Sequence, residues 1–562
     1  MIKAILNVRK FNHRLWYCLW AVLLVQFLSA CSRSSPPSLQ VVEVASKDEV
    51  VIDLGWQAYG WFEKGFDPTR GWARASYTVP LFQSTLFRRS ESLRELVNDL
   101  AQSYRISPDR KVWTVKIRQD ARFADGQPLT AADVAYTFNT AKASGGPTNL
   151  DILSQAITTS KYEVELQLKQ PQIAFFEQLV HMGIVPKHAH GSGYSRNPIG
   201  SGPYRLVQWN EGEQIIIEAN PNYYGKPSQI KRIVFLFSRG DAAVAAARAG
   251  LAQIARVPYT LAIQPSAGMK LYQIKSTDHA QVGLMFPYLP NTGKKTPQGE
   301  LIGNDVTAER AIRQAVNYAI DRQTLVNAIV QGYGSAATGP ADGMPWEEPA
   351  AKIEDADPHK ARQILSQAGW RDLNGDGTLD KQGLKAEFTL LYSAEDSIRQ
   401  GLALAVAQML KPIGIQVNAE GKGWPEIERR MHGNVVLYLM GTSSPKELQF
   451  LYHSDSARGE YENPGYYSNP IVDRAIDRGM AAASETAAMP FWKQVQWDGQ
   501  TGVTAKGDAA SAWLVNLNET YLISECLNIG KPAVPSKGYL GPLLSNITDW
   551  KWVCQQKKEV GA

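Results

Sequence analysis

Short runs in which every second residue is apolar alternate along this chain with longer runs in which every third or fourth one is. That interleaving constrains the fold more than any single motif, because a period of two belongs to a half-buried strand and a period of 3.6 to an amphipathic helix. Tyr162, Val164, Leu166 and Leu168 follow the first pattern, as do Trp113, Val115 and Ile117, and Gln214 to Glu218 and Ile233 to Phe237 read as further strands. Thr130 opens a helix with Asp133 three residues on as a capping box and Val134 and Phe138 on one face. From Thr307, Ile312, Ala315, Val316, Ala319 and Ile320 keep helical spacing; Asp321 then starts a helix with Leu325, Val326, Ile329 and Val330 that Gly332 ends. Asp357-Pro358 starts another, with Ala361, Ile364, Leu365 and Ala368 expected in the core and Gly369 at its end. Strands and helices mixed in this order, without repeats or low-complexity blocks, predict an α/β protein. Pro287, Pro290 and Pro297 mark a change of texture from Gln281 to Thr296, where a crossing between lobes is expected.

The first thirty residues stand outside that pattern. Lys3, Arg9, Lys10 and Arg14 come without an acid, an apolar stretch runs from Leu15 to Leu28, and Leu28-Ser29-Ala30-Cys31 follows. A basic tip, a short apolar core and small residues form a secretory signal, and the core is shorter than the roughly 20 residues a spanning helix needs. A cysteine straight after Leu-Ser-Ala resembles the lipobox of bacterial lipoproteins, which implies cleavage before Cys31, lipid on that residue, and work outside the cytoplasm. Arg33 to Ser38 reads as a flexible tether.

The 562 residues are enough for two or more packed domains. Their formal charge of +5 falls to +1 once the four cations before Cys31 are removed, so a nucleic-acid partner has no electrostatic basis. Cys526 and Cys554 are the pair left over, and in an oxidising compartment a disulfide between them is the default, with two free thiols as the alternative. Neither has a second cysteine or a histidine at metal-ligand spacing. No phosphate loop, His-Glu-x-x-His or Gly-x-Ser-x-Gly occurs, so no ATPase, metalloprotease or serine hydrolase is expected and no cofactor.

Five stretches in order carry a family resemblance. They are Lys111-Val112-Trp113-Thr114 through Arg118, Phe123-Ala124-Asp125-Gly126 and Leu129 to Phe138; Pro198-Ile199-Gly200-Ser201-Gly202-Pro203-Tyr204; Asn220-Pro221-Asn222-Tyr223-Tyr224; Ala311 to Asp321-Arg322; and Asp357-Pro358 to Gly369-Trp370. Over nearly the whole mature chain the sequence resembles the extracellular solute-binding proteins of family 5, which serve peptide and nickel ABC importers. The resemblance implies an α/β bilobal fold of the periplasmic binding protein type II kind, two mixed lobes joined by a hinge. The expected division is a signal at 1–30, a linker at 31–40, a first lobe at 41–282, a second at 283–488, and a segment at 489–562 that completes the first. It also implies a monomer on the outer face of a membrane, holding a small solute in the cleft and handing it to separate permease and ATPase subunits.

The solute is less plainly written. Peptide-binding members hold the peptide's amino terminus with an aspartate in a stretch that corresponds to Leu437 to Leu448, and none occurs there. Nickel-binding relatives place a histidine near this spot, where this chain has Lys446 and Met440. Gly65-Phe66-Asp67-Pro68-Thr69-Arg70-Gly71-Trp72, Leu81 to Leu86 and the ending from Trp513 to Trp552 resemble a subgroup that takes up metals wrapped in carboxylate-rich chelators. The expected solute is therefore nickel or a metal–chelate complex, with an oligopeptide as the alternative. An anionic complex calls for arginines, hydroxyls and aromatic walls. The candidates for that cleft are Trp72, Arg74, His181, Trp424, Tyr438, Met440, Ser443, Ser444 and Lys446, with no direct metal ligand among them. His181 suits a contact to the complex or a hydrogen-bonded interior place equally. His188 and His190 are expected on a solvent-exposed loop. Asp372 to Asp380 has the oxygen spacing of a calcium loop, but Gly383 stands where the closing glutamate belongs, so a turn is expected.

Overall fold

The computed structural model describes residues 48–554 apart from 56, 57, 59, 61, 64, 71–80, 91–94, 145–149, 265, 276–280, 441–443, 457–461 and 533–540, and gives 439, 440, 541 and 542 by backbone alone. The described chain starts with β1 (Glu49–Asp53) and then enters a small antiparallel unit: β2 (Phe87–Arg89), β3 (Leu96–Asn98), β4 (Ala101–Ile106), β5 (Val112–Ile117), α1 (Ala131–Ala143), β6 (Leu153–Ser160), β7 (Glu163–Leu168) and α2 (Phe176–His181). It returns through β8 (Tyr204–Asn210), β9 (Gln214–Ala219), β10 (Arg232–Leu236), β11 (Ile254–Arg256), α3 (Tyr259–Ala262) and β12 (Met269–Lys275). A second half follows with β13 (Gln281–Met285), α4 (Arg310–Ala319), α5 (Arg322–Ala328), β14 (Gly334–Ala336), α6 (Pro358–Gln367), β15 (Glu387–Ser393), α7 (Ser397–Leu410), β16 (Gln416–Lys422), α8 (Trp424–Arg430) and β17 (Val435–Met440). The last part holds α9 (Lys446–Tyr452), α10 (Pro470–Met480), α11 (Glu485–Gln496) and the long β18 (Ser511–Ser524).

One twelve-stranded sheet runs through both halves in the order β16-β15-β17-β13-β18-β11-β1-β10-β9-β8, with β12 and β14 also paired to β18. Its central strands are apolar runs, not alternations, because both faces are covered: β13 is buried at every residue and β1 at all but its first. In the small sheet, ordered β4-β5-β7-β6, β7 does alternate, and its Val164, Leu166 and Leu168 point inward beneath α1. The expected caps are in place. The Thr130 N–H donates to Asp133 Oδ2 at 2.9 Å, Asp321 Oδ1 accepts from Thr324 N–H at 2.8 Å, and Asp357 Oδ1 accepts from Lys360 N–H at 2.7 Å.

Gln281–Met285, at the start of the expected crossing, is the buried strand β13, held between β17 and β18. Along the returning chain Val503, Ala510 and Trp513 pack in the core that holds the small sheet, Leu514 and Val515 in that of the second half, and Tyr521 and Ile523 in that of β1 and β10. One continuous strand, β18, therefore carries the return.

Near the carboxyl end Cys526 and Cys554 are joined, with their Cα atoms 4.9 Å apart and a separation of 28 positions in sequence. Beside the bond Leu527–Asn528 pairs with Lys551–Trp552, and Trp550 is fully buried in the first-half core. Closing a loop of that length stabilises by roughly 3 to 4 kcal/mol in the chain-entropy account. Cys526→Ser is expected to lower the unfolding free energy by about that much, and reductant to do the same to the wild type but not the variant, as urea titrations would register.

Candidate functional site

Strands β15, β16 and β17 are parallel, so their carboxyl ends (Ser393, Lys422 and Met440) line one edge of the sheet. That edge is where α/β folds bind ligands, because helix starts and loop side chains converge there. Each strand is followed by a helix start. After β15, Asp396 caps α7 by accepting from Arg399 N–H at 3.0 Å, and its other oxygen meets Arg399 Nε at 3.3 Å. After β16, Gly423 and Pro425 set the first turn of α8 and place Trp424 at its head. Arg399 lies 5.3 Å over the Trp424 ring, and Trp424 meets Tyr438 of β17 edge to face, 6.4 Å between centroids. Trp424 and Tyr438, both expected from sequence, thus form one wall. Arg399 was not expected; its signal is the Asp-Ser-Ile-Arg start of a helix directly after a buried strand.

Beyond β17 the candidates separate. Ser444 is fully buried, and its Oγ accepts from Lys446 N–H at 3.2 Å, which fixes the start of α9. Lys446 acts on the Glu462 carboxyl. Burial pushes the Glu462 carboxyl up, Lys446 holds it down and Asp151 of the small unit pushes it up again. Trp72, Arg74, Ser443 and Cys31 lie outside the described residues, and Met440 is described by backbone alone, paired with Gln281.

At the same edge Gln281 also pairs with Asn516 of β18, whose Nδ2 reaches Asp342 Oδ2 at 3.4 Å; Thr338 N–H donates to the same carboxylate at 2.8 Å. Burial, with Glu347 nearby, pushes Asp342 up to about 6 against the pull of these donors. Its folded pKa exceeds the unfolded one, so the ionised form opposes folding and stability falls as pH rises from about 4 to 6. Asp342→Asn is expected to gain stability over the wild type above that window and to lose the gain below it, measured by urea midpoints across pH.

The histidines divide. His181 sits on α2 with its Nε2 3.2 Å from Glu177, in a cluster with Arg89 and away from the Trp424–Tyr438 wall in sequence and element. His188 is exposed beside Asp125 at 2.7 Å. His190 is not the exposed loop residue expected: its side chain is 5% exposed, with Nε2 3.0 Å from Asp67 Oδ2 and Nδ1 3.0 Å from Tyr136 OH. The cause is Asp67, buried with Thr69 in the apolar turn after β1, which needs a partner. Burial alone would raise the Asp67 carboxyl, but His190 and the Thr69 hydroxyl and amide outweigh it and hold it below the usual range. The Asp372–Asp380 segment is a turn: both Asp372 oxygens accept backbone N–H groups, and the Lys385 ammonium sits on Asp376 where a cation would. Among the described residues no three His, Cys, Asp or Glu side chains converge to hold a metal ion, and no helix is long and apolar enough to cross a membrane.

Residues 95–462 match the family described as bacterial extracellular solute-binding proteins, family 5 (middle). The chain belongs to that family. Protein XP55 of Streptomyces lividans is 31% identical over 437 residues, covering 75% of this chain and 76% of its own. The oligopeptide-binding protein AppA of Bacillus subtilis is 29% identical, covering 81% and 85% respectively. Among solved structures, NikZ from Campylobacter jejuni in complex with Ni(L-His) aligns with a TM-score of 0.73 at 22% identity over 90% of this chain and 100% of that one. The family-5 protein is thus a bilobal type II binding protein, the solute-binding component of an ABC importer. In it, the edge that carries Trp424, Tyr438, Arg399 and Asp342 is the second half's candidate wall of the cleft.

Proposed function

We propose that the chain is a lipid-anchored binding protein that closes on an oligopeptide and presents it to its permease and ATPase, without chemistry of its own. Cys31 carries the lipid, and the first lobe comprises 41–282 completed through β18. The 29% identity to the oligopeptide-binding protein AppA carries the peptide reading. Glu462, whose carboxyl feels both Lys446 and Asp151, is the carboxylate set opposite the peptide's α-ammonium group, in the role of the aspartate that the peptide binders carry.

A second reading, a metal–chelate complex, is favoured by one observation: the Arg399 guanidinium over Trp424, beside Tyr438, offers a cation and two rings to a carboxylate-rich solute. Native mass spectrometry with metal analysis, on protein taken from its own cell envelope, separates the two. An oligopeptide without metal is expected; a metal–ligand adduct overturns the peptide reading. Glu462→Gln is expected to weaken the copurified peptide about 10- to 100-fold, on the order of 1.4 to 2.8 kcal/mol. Acetylating that peptide's amino terminus should cost the wild type a similar factor. The intact mass of the mature chain reads out the lipid on Cys31.

A further inference from the structure

Two arginines of the small unit grip one corner of the second half. Arg89 of β2 reaches Glu485, the first residue of α11, with both ends of its fork: Nη1 to Oε2 and Nη2 to Oε1, each 3.0 Å. Its Nη2 also meets Glu177 Oε1 of α2 at 3.0 Å, and its guanidinium lies 3.8 Å over the Phe176 ring. The Arg89 side chain is only 12% exposed. Arg110, at the tip of the β4–β5 hairpin, donates to the carbonyl of Ala481, the residue that caps the carboxyl end of α10. The two contacts therefore complement both helix dipoles that meet at the corner, a carboxylate at the start of α11 and a cation at the end of α10.

A second observation sets Arg110 apart. Its φ is +59°, a region a non-glycine residue enters at a cost, and the Arg110 N–H to Ser107 carbonyl bond at 2.8 Å holds it there. The strain aims the side chain at the corner. Beneath the arginines, Phe175 and Phe176 share one contiguous core with Val472 and Ile476 of α10. The two arginine contacts do not involve the connecting strand β18, so a rotation of one lobe about that strand has to break them.

We propose that Arg89 and Arg110 are positioning residues for solute capture: they clasp the α10–α11 corner to the small sheet unit and set how far the lobes stay closed with no solute bound. The inference rests on the bilobal binding-protein reading and not on the identity of the solute. Contacts that form only on closing enter the affinity directly, since a ligand's apparent binding scales with the population of the competent state. Without Arg89, Glu485 would lose both hydrogen bonds of the fork, and the open form would gain.

Small-angle X-ray scattering of the full, solute-free chain tests this. The wild type should match the radius of gyration of the structure in which both arginine contacts are made. Arg89→Ala and Arg110→Ala should each shift to a larger value and their combination further, while Arg89→Lys, which keeps the charge and loses the fork, should fall between. If Arg89→Ala does not fold, as judged by circular dichroism, Glu485→Gln takes its place. Variants that scatter like a closed wild type overturn the clasp alone. A wild type that already scatters as an open molecule overturns it too. Failure of the peptide reading touches neither result.

Discussion

Gly200→Ala should leave the chain unable to hold its native packing, with a loss of about 4 kcal/mol or more in unfolding free energy, in the range reserved for severe core defects. A Cβ at this position would lie 1.8 Å from the Phe82 carbonyl oxygen and 2.3 Å from its carbon, with Gln83 N at 2.9 Å. Those are backbone atoms and cannot turn aside. Both sides of the contact are pinned: the Gly200 carbonyl accepts from Ala124 N–H at 2.8 Å, and the Phe82 carbonyl accepts from Gly202 N–H at 2.7 Å. Gly183 meets the same buried segment from another direction, since its Cβ would be 2.7 Å from that of Gln83. The Pro-Ile-Gly-Ser-Gly-Pro-Tyr stretch is thus a place where one chain lies directly on another. Gly191→Ala, which meets nothing within 4 Å, is the control and should change stability by no more than about 0.5 kcal/mol. Urea unfolding of both variants decides the point; similar midpoints would show that the segment can move away.

What could be read in advance follows the range of the interaction. Thr130 with Asp133, Asp321 with Thr324 and Asp357 with Pro358 are local caps, complete within three residues, and the sequence names both partners. The apolar runs of β5, β7, β9 and β10 are legible as strands, but nothing in the sequence tells that β18 will run beside β11, β12, β13 and β14 together. The site suffers most from this. A family pattern marks the places of Trp424 and Tyr438, and the structure sets their rings edge to face. Arg399 depends on a helix folding back over β16, and Glu462 feels both Lys446, 16 residues away, and Asp151, 311 residues away. His190 was misread for the same reason: its partners Asp67 and Tyr136 are 123 and 54 residues away, and a His-x-His beside glycines looks like surface until they are in place.

Arg313→Leu is the other change expected to be severe, about 3 to 5 kcal/mol, since it strips hydrogen bonds from several buried carbonyls at once. The need for an arginine starts one turn upstream. The helical turn Asp305–Ala308 stops at Glu309, before α4 begins, so the carbonyls of Thr307 and Ala308 lose their usual amide partners. Arg313 supplies them through Nη1 at 2.7 and 2.8 Å. Its other donors reach across to the Asp508 and Ala509 carbonyls, at 2.9 to 3.2 Å, and the guanidinium stacks 4.4 Å from the Tyr288 ring. Ala509 is itself held at a φ of +49°, so the segment leading into β18 depends on this grip for its course. Burial pushes Arg313 down to about 10, which still leaves it charged at neutral pH. A lysine has no planar fork and can satisfy only part of the set, so Arg313→Lys should lose an intermediate amount. Because β18 forms the connection between the two halves, Arg313→Leu should also raise amide hydrogen exchange along Ser511–Leu517 ahead of global unfolding. A variant with wild-type stability and unchanged exchange there would mean that water replaces the guanidinium at all four carbonyls.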